Sequence, residues 1–208
     1  MVIKSGLFTD TNRCNMNSFA LFTDVSLNPA IKLGVGAYLV VPTSFLDVAP
    51  DRIVRSEVAE RLRTRRFEGT SSTKLEVQTV LWALEHYRKE CKVSGPGKLY
   101  VYSDSQCVAG LLRRRPGLEA NGFRSNGTNR LLKNAALYRN FYKFYDELKC
   151  EVVKLAGHSR SCSHDTVHRI FSLVDREARK ALKRWMREVE GDSIKSHTYI
   201  TKKKGTPL

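Results

Sequence analysis

Hydrophobic positions alternate first and then change period along this chain. In FALFTD (19–24), Ala20, Phe22 and Asp24 fall on one face of an extended segment and Phe19, Leu21 and Thr23 on the other. That pattern predicts a strand apolar on both sides. LGVGAYLVV (33–41) predicts a second strand after a loop containing Asn28-Pro29. Residues 52–68, RIVRSEVAERLRTRRFE, fit a basic strand or a helix by periodicity. Gly69 and the TSST run that close the segment favour a strand. STKLEVQTVLWALEHYRKEC then sets Val77, Val80, Leu81 and Leu84 at helical spacing behind small hydroxyl residues suited to capping.

Farther along, KLYVYSD (98–104) predicts a strand ending in an aspartate, SQCVAGLLRRR a short helix, and PGLEANGFRSNGTNR a Gly/Asn-rich excursion. LLKNAALYRNFYKFYDELK predicts a long helix, CEVVKLAGH (150–158) a strand, and SRSCSHDTVHRI a polar loop. LVDREARKALKRWMREVE predicts a final amphipathic helix. Three strands followed by strand–helix alternation imply an α/β domain, a mixed sheet with helices on its faces. We read residues 1–17 as an N-terminal arm, 18–190 as the domain and 191–208 as a basic tail.

Charge narrows the picture. The 208 residues hold 36 Lys+Arg against 21 Asp+Glu, a net charge of +15, which favours a polyanionic partner. Within 111–149, nine basic residues face three acids and are interleaved with Phe123, Tyr138, Phe141, Tyr142, Phe144 and Tyr145. Arg113, Arg114, Arg115, Arg124 and Lys133 are the candidate contacts to backbone phosphates, which fix position without reading sequence. Five cysteines with no CxxC pair suggest a reducing compartment. The chain has no run of eighteen apolar residues, and the expectation is a cytoplasmic monomer without membrane contact.

Candidate chemistry lies at the element ends. LFTDT (7–11) and LFTDV (21–25) are near repeats. Asp24 precedes a strand able to pair with its own, whereas polar TNRCNMNS follows Asp10, so Asp24 is the candidate and Asp10 the decoy. Asp24 and Asp104 end strands; Glu76 and Asp175 lie near helix beginnings. Ligands collect beyond strand ends in such sheets. Four carboxylates gathered there would repel one another and raise their own pKa values, and divalent cations would relieve the repulsion. Such a set suits two Mg²⁺ ions about 4 Å apart and in-line attack of water on a phosphodiester. His158, Cys162, His164 and His168 offer a competing possibility, a zinc site within eleven residues, although their spacing matches no common finger.

FTDVSLNPAIKLGVGAYLV, SSTKLEVQTVLWALE, VYSDSQCVAGLL and VVKLAGHS…VDREARKAL together resemble type 1 ribonuclease H over about residues 18–185. The resemblance implies a ribonuclease H-like five-stranded mixed sheet flanked by helices. It also implies hydrolysis of the RNA strand of an RNA/DNA hybrid with two Mg²⁺, or Mn²⁺ in their place. By the same resemblance, Asp24 bridges both ions, Asp175 holds the one that activates water, and Glu76 and Asp104 hold the one at the leaving group. His158 is then the histidine that assists proton movement or product release. Asn28 is implied near the RNA strand, Ser71 at a DNA phosphate, and Ser72 and Thr73 where the family carries paired asparagines. Val25 stands where the family usually has glycine, and His158 and Asp175 are 17 residues apart, an enlarged loop. A nuclease of this fold acting on another duplex or a junction, and a noncatalytic nucleic-acid-binding module, are the alternatives.

Overall fold

The computed structural model describes residues 18–90, 97–156 and 165–203, the last twelve by backbone alone. Five strands form one sheet: β1 (Phe19–Asn28), β2 (Leu33–Pro42), β3 (Arg63–Phe67), β4 (Leu99–Ser103) and β5 (Glu151–Lys154), in the order β3-β2-β1-β4-β5. β1, β2 and β3 form an antiparallel meander, whereas β4 and β5 run parallel to β1. The helices are α1 (Arg55–Arg61), α2 (Ser72–Glu90), α3 (Gln106–Ala120), α4 (Ala135–Leu148) and α5 (Thr166–Lys203). Among the described residues, no helix is long and apolar enough to cross a membrane.

β1 and β2 each feed two cores, because successive side chains point to opposite faces. Leu21 and Tyr38 meet Val77, Val80, Leu84 and Tyr87 of α2 and Phe141 of α4 on one side. Ala20, Phe22, Ala37 and Leu39 meet Ile170, Phe171, Val174 and Ala178 of α5 on the other. Phe22 is fully buried and stacks on Tyr102, 4.8 Å between centroids, so this one side chain contributes about 1.5–3 kcal/mol. α2 approaches β2 closely because Gly34 and Gly36 carry no Cβ. One added at Gly36 would lie 2.1 Å from Thr79 Oγ1.

Several boundaries differ from the sequence expectation. The 52–68 segment is strand only over 63–67; the chain before it makes a 3-10 turn (Pro50–Arg52) and then α1. Ile53 and Val58 are buried against α5, and that anchoring outweighs the strand preference. Helix α3 does not stop before Pro116 but continues to Ala120. Its last turn is held by Leu118 packing into the core and by Arg115 Nε donating to Glu119 Oε1 at 2.7 Å. Helix α5 begins at Thr166 rather than near Leu173, inside the expected polar loop. The Asp165 carboxylate accepts from the His168 backbone N–H at 2.7 Å, a cap that starts the helix early. The same helix runs on to Lys203.

Candidate active site

The register brings two of the predicted carboxylates level. β1 and β4 are parallel neighbours with Phe22 opposite Tyr102. Asp24 lies two residues beyond Phe22, and Asp104 two beyond Tyr102, immediately after β4 ends. Both therefore emerge at one height on the face that α5 covers. Ala178 and Val174 of α5 are buried in the core under that face, which carries Asp175 to the same rim. Asp175 is hydrogen-bonded to Asp24.

The electrostatics follow from that crowding. Asp24 is pushed up to about 8, chiefly by burial and then by the charges of Asp104 and Asp175 and the bond to Asp175. The Val25 backbone N–H opposes the shift by donating to the carboxylate. Asp24 therefore keeps its proton at pH values where isolated carboxyls are ionised. Asp175 is also paired with Arg179, Nε to Oδ1 2.7 Å.

Glu76 reaches the rim from the opposite face. One turn into α2, its Oε1 accepts from Ser72 Oγ at 3.2 Å and its Oε2 from Ser105 Oγ at 2.5 Å. Ser105 is buried, and its hydroxyl oxygen simultaneously accepts the Val108 N–H at 3.1 Å, capping α3. One side chain thus ties the Glu76 carboxylate to the residue after Asp104. The sequence reading did not single out Ser105; its signal was a serine between a strand end and a helix start. Among the described residues, no three acidic, histidine or cysteine side chains gather tightly enough to surround one ion. The donor set nevertheless fits hard divalent cations, since a crowded Asp24 is the group a cation would relieve.

The candidate nucleic-acid contacts divide into engaged and free side chains. Asn28 Oδ1 accepts from the Ala30 N–H at 3.2 Å, and its Nδ2 donates to Met186 Sδ at 3.6 Å, which binds it into the turn and onto α5. Ser71 and Thr73 are exposed at the start of α2. Arg115 grips Asp146 through both terminal nitrogens, at 2.6 and 2.8 Å. Arg114 donates to the carbonyls of Gly110 and Cys107, and Arg124 to that of Asn129. Arg113 and Lys133 are exposed. His158, Cys162, His164 and Asp10 lie outside the described residues. His168, the fourth candidate zinc ligand, is held by Asp165 through Nδ1 at 2.8 Å.

Among solved structures, the chain is similar to the solution structure of the PFV RNase H domain. The TM-score is 0.59 at 15% identity, covering 80% of this chain and 94% of that one. The fold is ribonuclease H-like. Other structures with this ribonuclease H-like likeness are the foamy viral protease-reverse transcriptase in complex with dsDNA and with RNA/DNA hybrid. The first has TM-score 0.52, 15% identity and covers 79% of this chain and 92% of that one. The second has TM-score 0.51, 13% identity and covers 84% of this chain; here the chain spans 22% of the other's length. No family model matches the sequence, and no curated protein matches it significantly.

Proposed function

We propose that this protein is a metal-dependent nuclease that hydrolyses the RNA strand of an RNA/DNA hybrid. The observation that carries the reading is the largely buried Asp24, pushed up by burial and by the charges of Asp104 and Asp175, at the rim between two parallel strands of a ribonuclease H-like sheet. Burying Asp24 beside two further carboxyls is costly to fold around, which favours a functional reason for the cluster. Similarity to structures solved with RNA/DNA hybrid and with dsDNA supports nucleic acid as the partner.

Asp24, Asp104, Asp175 and Glu76 would hold two Mg²⁺ ions, or Mn²⁺ in their place. When bound, the ions supply a water of lowered pKa and neutralise charge on the phosphodiester. The chain's own groups do the rest. Asp24, beside Asp104 and Asp175, would be the carboxylate most relieved by a bound cation. Ser105 and Ser72 hold Glu76 in one orientation, and Arg179 tempers the charge on Asp175. Exposed Arg113 and Lys133 would bind backbone phosphates, and exposed Ser71 and Thr73 would touch the duplex from the start of α2. His158, by resemblance, moves a proton or aids product release near neutral pH.

A second reading, the same chemistry on another duplex, is favoured by two side chains. Asn28 and Ser72, which would recognise the RNA strand by resemblance, are bonded internally, to Ala30 and Met186 and to Glu76. The deciding experiment presents one labelled strand as RNA/DNA hybrid, duplex RNA, single-stranded RNA and duplex DNA, with Mg²⁺ and with Mn²⁺, beside an Asp24→Asn control. The proposal expects only the RNA strand of the hybrid to be cut and the variant to be silent. Cleavage of a different duplex moves the assignment to the second reading, and binding without cleavage of any strand removes the nuclease.

A further inference from the structure

The α3–α4 excursion is not the chain's sole basic concentration. RLRTRR (61–66) holds four arginines and no acid, and residues 176–187 of α5 hold six basic residues against one acid, Glu177. The fold joins these two stretches. β3 lies at the sheet edge beside β2, and α5 crosses β2 toward it, with Leu182 and Trp185 packed on Val35. An open depression of about 410 Å³ is left between them, lined by Val35, Thr64, Arg65, Arg66, Ala181 and Arg184.

We propose that this β3–α5 groove is a second contact for the backbone phosphates of a nucleic-acid duplex seated at the carboxylates. Location is the first reason. Thr64 is paired with Ala37, and Ala37 with Asp24, so the groove lies in the same transverse row as Asp24. Two interstrand steps separate them, roughly 10 Å, which is comparable to the groove widths of roughly 6–12 Å that separate phosphate rows on a duplex. Side-chain chemistry is the second. Arginine presents a planar fork suited to phosphate, and here the planes are set before any ligand arrives. The Arg66 guanidinium lies 5.2 Å from the Trp185 ring centroid, with Nη2 on Glu188 at 2.6 Å, whereas the Arg65 guanidinium turns to the α2 face, 5.4 Å from the Phe67 ring. Arg184 is only loosely paired, 3.8 Å from Glu177.

Charged residues on an edge strand also serve to block strand-to-strand pairing. That function explains arginines on β3, yet it calls for neither the depression nor the row of cations that α5 adds beside it. In the α3–α4 excursion Arg114, Arg115 and Arg124 are spent on the protein's own carbonyls and carboxylates, as Arg66 is on Glu188, whereas Arg184 in the groove is held only at 3.8 Å. The inference rests on the nuclease reading only in seating the duplex at Asp24.

The test is binding of an RNA/DNA hybrid duplex across a salt series, in an Asp24→Asn background so that no strand is cut. Arg184→Glu and Arg66→Gln are compared with Arg52→Glu, an exposed residue beyond the far end of β2, and thermal unfolding checks that each variant is folded. Arg184→Glu is expected to weaken binding severalfold more than Arg52→Glu and to reduce the slope of log affinity against log salt by about 1. Arg66→Gln, which removes the charge but keeps a polar side chain beside Trp185, should show the same direction with smaller size. If Arg184→Glu and Arg52→Glu share one affinity and one slope, the groove is not a contact. Dependence on Arg184 in a protein that cuts no duplex would retain the groove and remove the nuclease. Hybrid cleavage by the unmodified protein, with Arg184→Glu matching Arg52→Glu, would do the reverse.

Discussion

The two faces of the sheet deliver carboxylates to one rim in opposite electrostatic states. On the α5 face, burial and the charges of Asp104 and Asp175 act on Asp24, which is pushed up to about 8. On the α2 face, Glu76 has a hydroxyl on each oxygen, from Ser72 and Ser105. A satisfied carboxylate is stable as it stands, whereas a crowded one stores repulsion that a cation can discharge. The difference assigns the binding drive to the aspartates and the fixed geometry to Glu76.

The sharpest way to break this contrast is Asp24→Asn. It removes the crowded member while keeping its shape, and should reduce hybrid cleavage to background while the hybrid is still bound; retained cleavage would dissolve the comparison. Ser105→Ala probes the other face. With Glu76 freed on one oxygen, activity or Mg²⁺ affinity should fall about 10- to 100-fold, as for outer partners of metal ligands, and Ser105→Thr should restore it. Calorimetric titration of Mg²⁺ reads the affinity without turnover.

Smaller effects refine the picture. Gly36→Ala drives a methyl against Thr79 and should cost about 1–3 kcal/mol in denaturant unfolding, because the seating of α2, and hence of Glu76, depends on that close approach. The pH response separates the faces further. Asp24 binds its proton more tightly folded than unfolded, so between its ordinary value of 3.8 and about 8 the folded state holds the extra proton. Without divalent cations, stability should therefore decline as pH rises through that window, and Asp24→Asn should flatten the decline. Added Mg²⁺ should do likewise. Last, Arg115→Ala should lower the melting temperature slightly through loss of Asp146, with little change in the salt slope of binding, while Arg113→Ala should change the slope and leave melting alone.

Much of this architecture follows from local pattern. Alternation in FALFTD and LGVGAYLVV specified paired strands, and the 3.6 period of 72–90 specified α2, because each segment buries enough apolar surface for its period to be unambiguous. The choice of Asp24, Asp104, Glu76 and Asp175 as candidates was also legible, from their positions at strand ends and on helices flanking them. Where local and tertiary terms competed, the sequence misled. Residues 55–61 are helical because Ile53 and Val58 are buried against α5, and α3 passes Pro116 because Leu118 packs beyond it. Only the assembled sheet could decide that Asp24 is bonded to Asp175 while Glu76 rests on Ser105. Those bonds join residues 151 and 29 positions apart, and nothing in either local stretch encodes the distance between them. Likewise, the arginines of 61–66 became a groove once α5 was laid beside β3. Periodicity fixes which face a residue occupies; proximity between elements, and with it the chemistry, arises only when the faces meet.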